Sequence, residues 1–134
     1  MMSYYKTING RIAEIDQYEA GCWINCVAPE EHEINSLITD FHIEPDFLRA
    51  SLDEEESSHI DSEDGNTLII IDIPVVEKHE KNIMYTTMPL GIMITEKNVI
   101  TVCLNENPLI SEFAEGVMRN VPVSYTHLRA HETA

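Results

Sequence analysis

The 134 residues carry 24 acidic against 8 basic side chains, a formal net charge of −16, and 43% of them are hydrophobic. The apolar share is enough for one packed domain, and the charge excludes nucleic-acid phosphates or anionic lipid as partners of this surface. Such a surface attracts cations, keeps the chain soluble and repels other copies of itself.

In chain order, Ser3–Ile8 alternates weakly and reads as a strand. Asn9-Gly10 is a hairpin signal, because both residues tolerate positive φ, and Arg11–Ile15 is the return strand. After a break at Glu19-Ala20-Gly21, Cys22–Val27 is a strand with Trp23, Asn25 and Val27 on one face. Pro29 opens a helix in which Glu30, Glu31 and Glu33 favour the positive end of the dipole. Ile34, Leu37, Ile38 and Phe41 follow at i, i+3, i+4, i+7 and form its buried stripe. Pro45 opens a shorter helix with Phe47, Leu48 and Leu52 on its apolar side, which runs into the acidic end Asp53–Glu56. Ser57–Asp61 reads as a short strand and Ser62–Asn66 as a turn.

Leu68–Val76 is the most β-branched and apolar stretch, and short continuous runs of this kind are strands buried on both faces. Pro74 cannot donate to a ladder, so the strand must bulge there or become an edge beyond Ile73. Glu77–Asn82 reads as a polar loop. Leu90–Ile94 and Val99–Leu104 form an antiparallel hairpin around Glu96-Lys97-Asn98. Asn105-Glu106-Asn107 caps a third helix with Pro108 at its first position and Ile110, Phe113, Ala114 and Val117 on its inner face.

The expected domain is 4–118. Residues 119–134 form a tail of non-native or disordered character, with no sustained period. Ser124–Thr133 resembles translated sequencing-adapter read-through, which implies that the natural protein continues past this point. His127 and His131 stand at i, i+4 without a third ligand.

Chemistry is sparse. Cys22, Cys26 and Cys103 are an odd set without a CxxC pair, read as reduced, buried thiols of a cytosolic protein. No dinucleotide, P-loop, zinc-protease or nucleophile-elbow motif is present, so no enzyme is expected. Asp61, Glu63 and Asp64 with Gly65 lack the twelve-residue pattern of a calcium loop. The excess carboxylate suits Mg2+ or Ca2+, whose sites leave little spacing signature.

Several segments together resemble the cytosolic domain of CorA-type magnesium and cobalt transporters. They are Cys22-Trp23-Ile24-Asn25 followed by Pro29-Glu30-Glu31, Phe47–Glu56, Thr67–Pro74, and Pro89-Leu90-Gly91-Ile92 through Asn98-Val99-Ile100-Thr101-Val102. His59 stands where that family usually has an Arg. The resemblance implies an α/β fold, a mixed β-sheet sandwiched between helices. It implies a stalk helix, two membrane helices with a Gly-Met-Asn signature and a homopentamer at the cytoplasmic face of the cell membrane. None of the membrane parts lies in these residues, so membrane attachment would come only through C-terminal helices not present, and the fragment would be soluble. It further implies a regulatory Mg2+ sensor between subunits, with Glu77 and Glu80 as this chain's metal ligands. The competing expectation is a stand-alone acidic α/β interaction module.

Overall fold

A computed structural model describes residues 1–115 of the chain. The expected tail at 119–134, with its two histidines, and Val117 of the third helix lie outside the described residues. The elements in order are β1 Met2–Ile8, β2 Arg11–Ile15, β3 Trp23–Val27, α1 Glu31–Thr39, α2 Pro45–Ser51, β4 His59–Glu63, β5 Asn66–His79, β6 Asn82–Ile94, β7 Val99–Cys103 and α3 Pro108–Ala114. The strands make one seven-stranded sheet in the order β2-β1-β3-β7-β6-β5-β4. Only β3 and β7 run parallel, side by side at its centre, which makes the sheet mixed.

Strand alternation divides the core into two layers. On one face Ile24, Cys26, Leu68, Ile70, Met93, Ile100 and Val102 pack with Leu37 of α1 and with Phe47 and Leu48 of α2. On the other, Val27, Ile73, Met88, Leu90 and Cys103 meet Ile110 of α3. The sheet is therefore sandwiched between helices, as expected. The second face also holds a buried polar chain, in which Trp23 Nε1 donates to Thr101 Oγ1 at 2.7 Å and that hydroxyl donates to Asn25 Oδ1 at 2.9 Å. All three side chains are satisfied, which is what burial of polar groups requires.

The helix boundaries differ in detail from the sequence reading. Ala28 takes φ of 46°, so Pro29 is lead-in chain and Glu30, extended, is the N-cap of α1. Glu33 Oε1 accepts from the Glu30 N–H and from the N-terminal ammonium, both at 3.0 Å. Desolvation opposes ionisation of Glu33, yet these donors hold its carboxyl below the ordinary range. Phe41 falls past the C-cap Asp40, yet it packs against the same core as Ile34, Leu37 and Ile38 and also meets Tyr18 edge-on at 5.0 Å. Helix α2 stops at Ser51, and Leu52 is its C-cap, so Asp53–Glu56 lies outside it. Negative charge at a helix C-terminus is unfavourable, and ending the helix first avoids it.

Two turns were misplaced by sequence. β4 continues to Glu63, and its connection to β5 is the pair Asp64-Gly65 with φ of 51° and 81°. The segment Glu77–Asn82 is not a loop: β5 continues to His79, only Glu80-Lys81 turn, and β6 returns from Asn82, in register from His79↔Asn82 to Thr67↔Ile94. Pro74 sits within this ladder, where β4, which pairs only as far as Ile70, has already ended. One side of β5 is open there, as a strand proline needs.

All three cysteines are free and buried. Burial pushes the Cys26 thiol up to about 12 and the Cys103 thiol up to about 11. Both stay protonated at neutral pH and are poor nucleophiles and metal ligands.

Candidate functional site

Two acidic groups stand at opposite ends of the long β5 strand. At the hairpin end, Glu77 occupies the last turn of pleat before Glu80, whose φ of 48° forms the corner. Both are exposed, and Glu77 Oε2 lies 3.3 Å from Nε2 of His79, its neighbour on the same face. The two glutamates bring hard oxygen donors to the edge of the molecule, but among the described residues no third carboxylate joins them in a close group.

At the other end, Glu44, Glu63 and Asp64 each offer an oxygen, and these lie within 4.8 Å of one another. It is the one such three-ligand group among the described residues. Glu44 comes from the connection between α1 and α2, whereas Glu63 ends β4 and Asp64 is the first residue of the β4–β5 turn. The sequence shows only Glu63-Asp64, because nothing in local spacing announces a residue 19 positions earlier. Repulsion from Glu44 first, then desolvation and the charges of Asp64, Asp61 and Asp46, pushes the Glu63 carboxyl up.

That shift has a sign. A carboxyl whose folded pKa lies above its unfolded one costs the fold stability as pH rises through the carboxylate range, and costs nothing at acid pH, where both states are protonated. Glu63→Gln should therefore raise the melting temperature slightly near neutral pH and leave it unchanged in acid. Thermal unfolding at both pH values checks this, and an equal shift at both would contradict it.

Beside the triad, a cleft of about 500 Å3 is lined by Tyr18, Asp40, Phe41, Asp64, Glu96 and Lys97, among others. It is built from connections at one end of the sheet: those between β2 and β3 and between α1 and α2, with the β4–β5 and β6–β7 turns. Asn98 fixes its floor, accepting from the Tyr18 hydroxyl at 2.9 Å and donating to the Cys22 carbonyl at 3.1 Å. The buried Trp23–Thr101–Asn25 chain lies apart from this cleft and binds strands together instead.

No helix among the described residues is long and apolar enough to cross a membrane. The fold is similar to that of the complete CorA magnesium transporter from Methanocaldococcus jannaschii, at 20% identity and a TM-score of 0.65, covering 84% of this chain and 35% of that one. The soluble domain of the same CorA matches at 22% identity and a TM-score of 0.65, over 84% of this chain and 44% of that one. The ZntB cytoplasmic domain from Vibrio parahaemolyticus matches at 13% identity and a TM-score of 0.65, over 94% of this chain and 53% of that one. This chain thus spans from about a third to about half of these structures. No curated protein matches the sequence. The model of the family described as CorA-like Mg2+ transporter protein matches residues 18–129, most of the chain, and the chain therefore belongs to that family.

Proposed function

We propose that this chain is the cytosolic, Mg2+-sensing part of a CorA-like divalent-cation transporter, with the membrane-crossing part supplied by further sequence. The observation that carries the reading is the family match across residues 18–129. Transport itself is a property of the whole assembly, in which Mg2+ is cargo. The regulatory role rests on charge. With a formal charge of −16 on each copy, subunits held side by side in a homopentamer repel one another. Glu77 and Glu80 would hold Mg2+ at the hairpin. Their donor set fits, because Mg2+ takes one or two carboxylates and keeps several waters. Bound there, the ion supplies neutralising charge. The hairpin carboxylates then cease to push the neighbouring lobe away, and the closed arrangement is favoured.

Isothermal titration of metal-free protein with Mg2+ tests the ligand assignment. Glu77→Gln with Glu80→Gln should weaken binding by about tenfold or more, because site affinity follows the number of ligand charges. Unchanged binding in that variant, or binding lost instead in Glu63→Gln, would remove Glu77 and Glu80 from the reading. A stand-alone acidic interaction module is the second reading, favoured by the exposed apolar side chains Val76, Ile83, Met84 and Tyr85 on the β5–β6 hairpin.

A further inference from the structure

The outer half of the β5–β6 hairpin is a ribbon of two strands only. β4 leaves β5 after Ile70, and β7 joins β6 only from Leu90 onward. Every residue from Val76 to Thr87 is exposed. The register Glu77↔Met84 and His79↔Asn82 puts these four side chains on one face of the ribbon, because directly opposite residues point the same way. Val76, Lys78, Ile83 and Tyr85 fall on the other face. The first face therefore gathers a carboxylate, an imidazole, a thioether and an amide carbonyl, with Lys78 turned away from it.

That donor set is not the one Mg2+ takes. Mg2+ is bound through oxygen, whereas imidazole suits Zn2+, Ni2+ and Cu2+ and thioether sulfur is a soft donor. His79 Nε2 lies 3.3 Å from Glu77 Oε2. Two donors each about 2.1 Å from one zinc at the tetrahedral angle stand about 3.4 Å apart, so the pair is already spaced as two ligands of one ion. Asn82 and Met84 lie directly across the ladder, where opposite Cβ atoms are about 5 Å apart. We propose that Glu77 and His79 of β5, with Asn82 and Met84 of β6, form a site for a late first-row divalent ion of the Zn2+ class. Glu77 supplies charge, and His79 supplies the nitrogen that favours such an ion over Mg2+. Asn82 and Met84 are weaker cross-strand ligands, and water completes the shell on this exposed face. An ion held there ties β5 to β6 where the ribbon has least support, since two strands alone are marginal in water. The inference goes beyond the Mg2+ reading. It shares Glu77 with that reading but uses neither Glu80 nor an all-oxygen set.

Isothermal titration of the metal-free full chain with Zn2+ tests the site, together with NMR of the methionine methyl groups using Co2+ as a paramagnetic probe. Co2+ should broaden the Met84 methyl and the Asn82 side-chain amide before the other methionine methyls. His79→Gln should weaken Zn2+ binding by at least about tenfold, the lower end of what loss of even an outer-shell partner costs, and should leave Mg2+ binding unchanged. Glu80→Gln should leave Zn2+ binding unchanged. Both positions are exposed, so circular dichroism should show the fold retained in each variant. Hydrogen exchange of the amides at 76–87 should slow when Zn2+ is added, as binding across the ladder requires. Zn2+ affinity indifferent to His79→Gln, an equal loss in Glu80→Gln, a loss carried instead by His127→Gln with His131→Gln, or Co2+ broadening other methionines first would each overturn the site. Such failure leaves the Mg2+ reading of Glu77 and Glu80 standing, and a failed Mg2+ titration beside intact Zn2+ binding leaves this site standing.

Discussion

Trp23→Ala should destabilise the fold by about 4 kcal/mol, in the range for removing a buried aromatic, and should release α3 before the rest of the sheet melts. Trp23 is 3% exposed, with its ring 4.7 Å from that of Tyr5 and 5.6 Å from that of Phe113, edge-on. It thus joins β1, the central strand β3 and α3. None of the side chains of α3 is fully buried, so the helix depends on a few half-buried contacts, of which Phe113 on Trp23 is the aromatic one. The cap is sound, with Asn107 Oδ1 accepting from the Ile110 N–H at 2.9 Å. A helix of 7 residues is still too short to persist on local bonds. Truncation also leaves Thr101 Oγ1 without its Trp23 donor. Chemical denaturation should give the loss in stability, and limited proteolysis should show cleavage near residues 108–114 under native conditions. A variant that lost stability while keeping that segment protected would contradict the account of α3.

Gly91→Ala should cost about 3 kcal/mol, at the upper end of overpacking penalties, although alanine is the smallest change available. A Cβ on Gly91 would lie 1.9 Å from Ser51 Oγ, 2.5 Å from Ser51 Cβ and 3.4 Å from Ser51 Cα. Ser51 cannot swing aside, because it is fully buried in the last turn of α2 and its hydroxyl donates to the Phe47 carbonyl at 2.8 Å. The whole helix must lift from β6, carrying Phe47 and Leu48 out of the core. Ser51→Gly removes the atoms that clash, so the double variant should recover most of the loss, less about 1 kcal/mol for glycine in a helix. Thermal unfolding of both single variants and the double one closes the cycle. A double variant as unstable as Gly91→Ala would show that the penalty arises elsewhere.

Gly91 also marks the border of what could be read in advance. As a strand residue it was legible within Pro89-Leu90-Gly91-Ile92, but that it makes room for Ser51 was not, since 40 positions separate them. The helix starts were readable where chemistry is local. Pro45 and Pro108 open their helices as expected, and Asn107 caps the last. Pro29 misled because the positive φ of Ala28 redirects the chain just before it. Glu77–Asn82 looked like a loop because its residues are polar. A strand exposed on both faces has no apolar alternation to betray it, and the long register of β5 with β6 is what keeps it extended.

By itself the sequence determined a mixed α/β sheet with covering helices, three buried thiols and an acidic exterior, since strand period, proline placement and charge are properties of neighbouring residues. It also carried the family resemblance. Only the tertiary structure decided that Glu44 meets Glu63 and Asp64, that Tyr18 and Phe41 wall a cleft, and that the hairpin stands free at the opposite end. Those are juxtapositions of distant segments. They follow from strand order and chain crossings, which side-chain period along the sequence does not encode.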